Sequence, residues 1–299
     1  MTINTNSQHA DCVCDLELEK LYGAGKNADI DGDLIVVLDC APETKTEEIY
    51  GGAENANVRG NVELTITSGS FGKVFGGNNQ SGAIFGHIIL NIEETGCRPI
   101  VIDELYGCGN NAAYSVYGYK EGTDADGYPI YVPRTSADDG VAVTFKKSDA
   151  ENDIQKQHTT PQYDDPQLNI ISCTRIDKVF GGGYGSGATV YGNPTVNINQ
   201  IYGKAYDGNA YTATATTLGA IGEVFGGGNE ANVVGNTTVN VGTASTVQLH
   251  ERIKSDGTYQ MSEAKTVIGA NITGNVYGGG NEAEVSGNTN VNIGRQASE

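Results

Sequence analysis

The sequence predicts an all-β protein, a parallel β-solenoid of about seven coils that winds right-handed by the usual bias of parallel crossovers. Three observations predict it. A unit of roughly twenty-odd residues recurs along the 299-residue chain. Every copy ends in apolar residues that alternate with a period of two. Gly and Asn sit at matching places between the alternating stretches.

The copies can be read in order. "KLYGAGKNADIDGDLIVVLD" begins at Lys20, "EIYGGAENANVRGNVELTIT" at Glu48 and "KVFGGNNQSGAIFGHIILNIE" at Lys73. A fourth, "ELYGCGNNAAYSVYGYK", begins at Glu104 and breaks off, and its missing ending, "LNIIS", appears at Leu168. "KVFGGGYGSGATVYGNPTVNIN" begins at Lys178, "EVFGGGNEANVVGNTTVNVG" at Glu223 and "NVYGGGNEAEVSGNTNVNIG" at Asn275. In the last segment of each unit, Leu34/Val36/Leu38, Val62/Leu64/Ile66, Ile88/Leu90/Ile92, Thr237/Val239/Val241 and Thr289/Val291/Ile293 share one phase. That is strand patterning with β-branched residues dominant. No stretch holds a helical pattern over three turns.

One unit then makes one coil of two or three strands, with equivalent strands stacked in parallel about 4.8 Å apart. Seven coils give a rod about 30–35 Å long. The column Leu34, Val62, Ile88, Val239 is expected inside. The column Asn91, Asn197, Asn240, Asn292 is expected outside, as an amide ladder. Tyr22, Tyr50, Phe75, Tyr106, Phe180, Phe225 and Tyr277 share one position beside the all-aliphatic column from Leu21 to Val276. Strand neighbours face opposite ways, so the aliphatic column is expected inside and the aromatic one as a partly exposed ladder. It reads as a self-stacking ridge or a cover for the corner, ahead of a ligand platform.

The glycine runs are corners where side chains would collide with adjacent coils, or where the backbone needs conformations that Gly adopts cheaply. A phosphate-cradling loop is disfavoured, because no Lys-Ser/Thr and no helix follow. The nonapeptide Ca²⁺ repeat is disfavoured too, since "GGGNEAN" has Ala231 where that motif wants Asp.

Three insertions interrupt the repeat, at 119–167, 200–219 and 243–270. "YPIYVPR" with "VAVTFKK" in the first, and "VQLHERI" with "TYQMS" in the third, read as β-hairpins. Insertions in solenoids tend to form one binding face, so all three are expected on one side of the rod. Tyr128, Tyr131, Tyr163, Tyr206 and Tyr211 are the candidates for flat contact with sugar rings. Arg134, Lys146, Lys147 and His158 join Asp124 and Asp126 in the largest insertion, a set that could serve a lyase or hydrolase. Asp29, Asp31 and Asp33 ("DIDGD"), with Asp124 and Asp126 ("TDADG"), resemble part of a Ca²⁺ loop that lacks its later bidentate Glu. Ordinary Asp-Gly turns explain them better. No cofactor is expected otherwise.

The formal charge of −19 argues against nucleic acid and anionic membrane surfaces as partners. There is no run of 18 apolar residues, so no membrane span is expected. Met1–Asp15 has no apolar h-region and does not read as a signal peptide. Residues 1–15 are placed instead to cap the first coil of a single solenoid domain over 1–299. The complete last strand before "RQASE" implies further coils, a capping domain, or self-association at that edge. Among six cysteines, Cys97 and Cys173 follow the last strands of consecutive coils, near enough for a disulfide, or each is a small buried hydrophobe. Cys12 and Cys14 near His9 make half a zinc site with no second half.

The unit "VFGGGNEANVVGNTTVNVG" resembles repeats of very large surface or secreted proteins of gut Bacteroidales and Firmicutes, over most of the chain outside the insertions. At fold level the chain is similar to the pectin-lyase-like right-handed β-helices, which include adhesins and polysaccharide-cleaving enzymes. The resemblance implies a β-helix in an extracellular setting and transfers no catalytic residues. The expected function is a non-enzymatic stalk or adhesin segment at the cell surface, displaying loops to a glycan or a host or bacterial surface protein. A carbohydrate-active enzyme and a self-associating filament segment are the alternatives.

Overall fold

The computed structural model describes residues 18–39, 45–95, 98–115, 165–202, 217–248 and 263–294. It also describes the backbone of short strands at 2–3, 118–123, 129–132, 143–144, 205–206, 211–212, 250–253 and 259–261.

Each repeat closes into one coil because its two alternating segments enter two different sheets. In the first sheet the strands Leu34–Leu38, Val62–Ile66, Ile88–Glu93, Gln167–Ser172, Thr195–Ile198, Thr237–Val241 and Thr289–Ile293 stack in that order, all parallel. An eighth strand, Thr2–Ile3, pairs in parallel with Val37 and Leu38 outside the first coil. The second sheet stacks Lys20–Tyr22, Thr46–Tyr50, Gly69–Phe75, Ile100–Tyr106, Arg175–Phe180, Ala220–Phe225 and Val276–Tyr277. A narrow third face is built from Tyr114–Ser115, Val190–Tyr191 and Val233–Val234, and single bridges continue it at Ile30, Val58, Ile84 and Val285. The described residues thus form a parallel β-solenoid of seven coils. Among the described residues no helix is long and apolar enough to cross a membrane.

The expected residues are inside, but Val239 stacks in the column of Val36 and Leu90 rather than that of Leu34, Val62 and Ile88. Val36, Leu64, Leu90, Leu168, Val196 and Val239 face Ile49, Val74, Leu105, Val179 and Val224 in one buried cluster. Leu34, Val62 and Ile88 pack in an adjoining cluster with Val58, Ile84, Val190 and Val233 at the third face. The first glycine of each run has the role expected of it. A Cβ on Gly181 would overlap the carbonyl oxygen of Gly226, and one on Gly107 would overlap that of Gly181. At that corner the stacked backbones touch, so only glycine fits.

The aromatic column departs from expectation. Tyr50, Phe75, Tyr106, Phe180 and Phe225 are buried in a cluster of their own, distinct from the main core. Their rings stack with centroids 4.8–4.9 Å apart and planes within 9°, in the range of offset stacking. Alternation assigns sides only within a strand. These residues are the last of their strands, at the entry to the glycine corners, and Tyr184 of one corner packs edge-on against Tyr106. Their hydroxyls reach protein rather than water. Tyr50 Oη donates to Glu48 at 2.9 Å and accepts from Asn110 Nδ2 at 3.2 Å. Tyr106 Oη donates to Glu104 at 2.9 Å. Tyr277, in the last coil, is exposed.

The insertions leave from two corners rather than one. The largest lies between the third face and the first sheet. The two smaller ones follow first-sheet strands and lead to the second sheet. All three therefore flank the first sheet, the largest at its entering end and the others at its leaving end. The first carries an antiparallel sheet of Gly118–Thr123, Pro129–Val132 and Val143–Thr144, one strand more than the expected hairpin. The third carries the expected hairpin, His250–Ile253 with Tyr259–Met261, and a shorter pairing of Thr246–Val247 with Lys265–Thr266 below it. The second also forms a hairpin, in which Tyr206 pairs directly with Tyr211.

Candidate functional site

Most polar side chains of the coils are engaged with the next coil. Down the second sheet, Lys20, Glu48, Lys73, Glu104, Lys178 and Glu223 are in register, alternating in sign at every step. Lys20 meets Glu48 at 2.7 Å and Lys73 meets Glu104 at 3.2 Å. Burial pushes the Glu48 carboxyl up, but the bonds from Lys20 and Tyr50 outweigh it and hold the group below the usual carboxylate range. Burial pushes the Tyr50 and Tyr106 hydroxyls well above the usual range, which suits them as donors.

The aspartates of "DIDGD" are held in the same way. Asp29 accepts from the Asn57 backbone at 3.0 Å and from Arg59 at 2.8 Å. Arg59 also donates to Asp31, and Asp33 accepts from the Asn61 backbone at 2.7 Å. Asn57 and Asn61 pass the pattern on to the backbones of Ala83 and His87 at 2.8 and 2.9 Å. These carboxylates thus tie the first corner to the second. Among the described residues no three His, Cys, Asp or Glu side chains converge as a metal site. Asp124 and Asp126 lie outside the described residues.

Cys173 is a buried free thiol whose Sγ accepts from Gln200 Nε2 at 3.8 Å, which is the small-hydrophobe reading for that residue. Cys97 lies outside the described residues. So do Tyr128 and Tyr163, and the side chains of Tyr131, Tyr206 and Tyr211.

The structure forms a groove elsewhere. On the outer face of the first sheet, Asn91, Asn169, Asn197, Asn240 and Asn292 are in register. Each amide donates to the oxygen of the one before it: Asn169 to Asn91 at 3.0 Å, Asn197 to Asn169 at 2.9 Å, Asn240 to Asn197 at 2.8 Å and Asn292 to Asn240 at 2.9 Å. Asn169 completes the ladder across the largest insertion. The first three of these amides floor a groove of about 680 Å³, bounded by Glu63, Ile89, Glu93, Asn199 and the segment Thr243–Gln248. That segment is fixed to the coil, since Gly242 N donates to Ile198 O at 2.8 Å and Ala244 N to Asn199 Oδ1 at 2.9 Å. Buried Gln200 holds the far end of the same insertion, accepting from the Ile268 and Asn271 backbones at 2.9 and 2.8 Å. The ladder was legible as a column of Asn. The groove was not, because its wall comes from an insertion that folds back. Comparison with family models, curated proteins and solved structures gives no match for this chain.

Proposed function

We propose that this chain is a non-enzymatic β-solenoid segment of a bacterial surface protein, a stalk or adhesin that presents a binding face to a glycan or to another surface protein. One observation carries the reading: a groove of about 680 Å³ lies over the amide ladder of the first sheet, the sheet whose ends the insertions leave from. The repeat's likeness to those of large bacterial surface proteins supports the extracellular setting, and the charge of −19 weighs against nucleic acid as the ligand.

The test is a binding screen of the full chain against glycans and surface proteins, run beside polysaccharide-degradation assays. Saturable binding with no release of reducing ends is the expected result. Release of reducing ends or of unsaturated products overturns the proposal in favour of an enzyme.

A further inference from the structure

We infer, resting on the reading of this chain as a binding segment, that the groove over the amide ladder takes a linear uncharged glycan lying along the rod axis. The floor is the first reason. An Asn side chain has two N–H donors and an oxygen with two lone pairs. Within the ladder Asn169 and Asn197 each use one N–H and one lone pair on their neighbours. The second N–H and second lone pair remain for the groove, so a donor and an acceptor recur together about every 4.8 Å. Sugar hydroxyls and acetamido groups likewise both donate and accept. A polymer along the axis meets the same pair of groups at each coil, whereas one lying across it meets the pair once.

The walls are the second reason. Ile89, Ala244 and Val247 offer apolar contact to the C–H faces of sugar rings. Glu63 and Glu93 line the same groove, and with the chain's net negative charge they disfavour uronic or sulfated polymers. The wall is also fixed in place before binding, through Asn199 and Gln200, so little ordering is required when the ligand arrives.

An extended peptide gains less here. Peptides that add to a sheet bond its open backbone edge. The groove instead lies on the face of strands Ile88–Glu93, Gln167–Ser172 and Thr195–Ile198, each of which is paired on both sides. On the second sheet the corresponding outward column is charged, with Lys20 paired to Glu48 and Lys73 to Glu104.

Calorimetric titration of the full chain with chitohexaose, cellohexaose, mannohexaose and hexagalacturonate tests the assignment. Binding of at least one of the three uncharged sugars is expected. The double variant Asn169→Thr/Asn197→Thr should weaken it about tenfold or more, from the loss of two or more hydrogen bonds. Thr65 already occupies this column, so threonine fits it, and a thermal melt checks that the variant folds. Lys178→Ala, on the other sheet, should leave the affinity unchanged. If the sugar binds but the double variant binds it equally well, the groove assignment falls and the display reading stands. The same holds if the chain binds only hexagalacturonate or none of these probes. If the sugar is cleaved during the titration, the display reading itself falls.

Discussion

The first and second sheets each carry one polar column down their outer faces, and the two solve the same stacking problem differently. A coil spacing of about 4.8 Å places like residue on like residue. Asparagine can follow asparagine, because an amide is donor and acceptor at once. Lysine cannot follow lysine, and the second sheet alternates Lys and Glu through six coils. The alternating column is self-neutralising, with ion pairs from Lys20 to Glu48 and from Lys73 to Glu104. The amide column keeps half its hydrogen-bonding capacity pointing outward, and there the groove has formed. The second column also reaches the adjacent rings: Tyr50 and Tyr106 follow Glu48 and Glu104 at two residues and bond them.

Substitutions can break each column, and the largest effect should come from the buried ring ladder beside them. Phe180→Ala removes a buried ring stacked between Tyr106 and Phe225. It should cost about 3–5 kcal/mol, read as a lowered denaturation midpoint. A loss below about 1 kcal/mol would mean the ring ladder is not a core.

Glu48→Lys places three lysines in succession and takes the acceptor from Tyr50. It should cost about 1–2 kcal/mol at low salt. The deficit should shrink as salt is added, because these side chains are partly exposed. Asn197→Asp should cost about 1–2 kcal/mol, because its carboxylate would face the Asn169 oxygen it formerly bonded. Its deficit depends less on salt than that of Glu48→Lys, since it arises from a lost donor more than from a field. Equal salt dependence in the two variants would undo the distinction between the columns.

The smallest effect concerns pH. Glu48 has a depressed carboxyl pKa, so its contribution is present above the unfolded value and is lost as pH falls through the folded one. Glu94 is opposite in sign. Burial, opposed by donors from Ile100 and Thr174, raises its pKa. The fold therefore loses stability as pH rises from the unfolded value through the folded one. Glu94→Gln should be neutral or slightly stabilising at pH 7 and should remove that decline. A destabilised Glu94→Gln at pH 7 would show that the ionised carboxylate is the form the fold prefers.

Much of this was written in the chain. Repetition of the unit set seven coils, and period-two alternation set which residues of Leu34–Leu38 or Thr237–Val241 face inward. Both are local properties that survive without knowledge of the neighbours. The Asn column was visible for the same reason, apart from Asn169, which an insertion separates from the rest of its coil. What tertiary structure decided lies where the chain leaves a strand. Alternation ends at Tyr50 or Phe180, so it does not say whether those rings are covered, and Tyr184 of one glycine corner packs against the ring cluster only in the fold. The sign alternation of Lys20 to Glu223 becomes meaningful only when the coils are stacked and read down the column. The groove exists because Thr243–Gln248 turns back over a sheet whose strands lie far off in sequence. No periodicity encodes that return. It follows from the bonds of Asn199 and Gln200 to the insertion, which form only once the coils have been laid side by side.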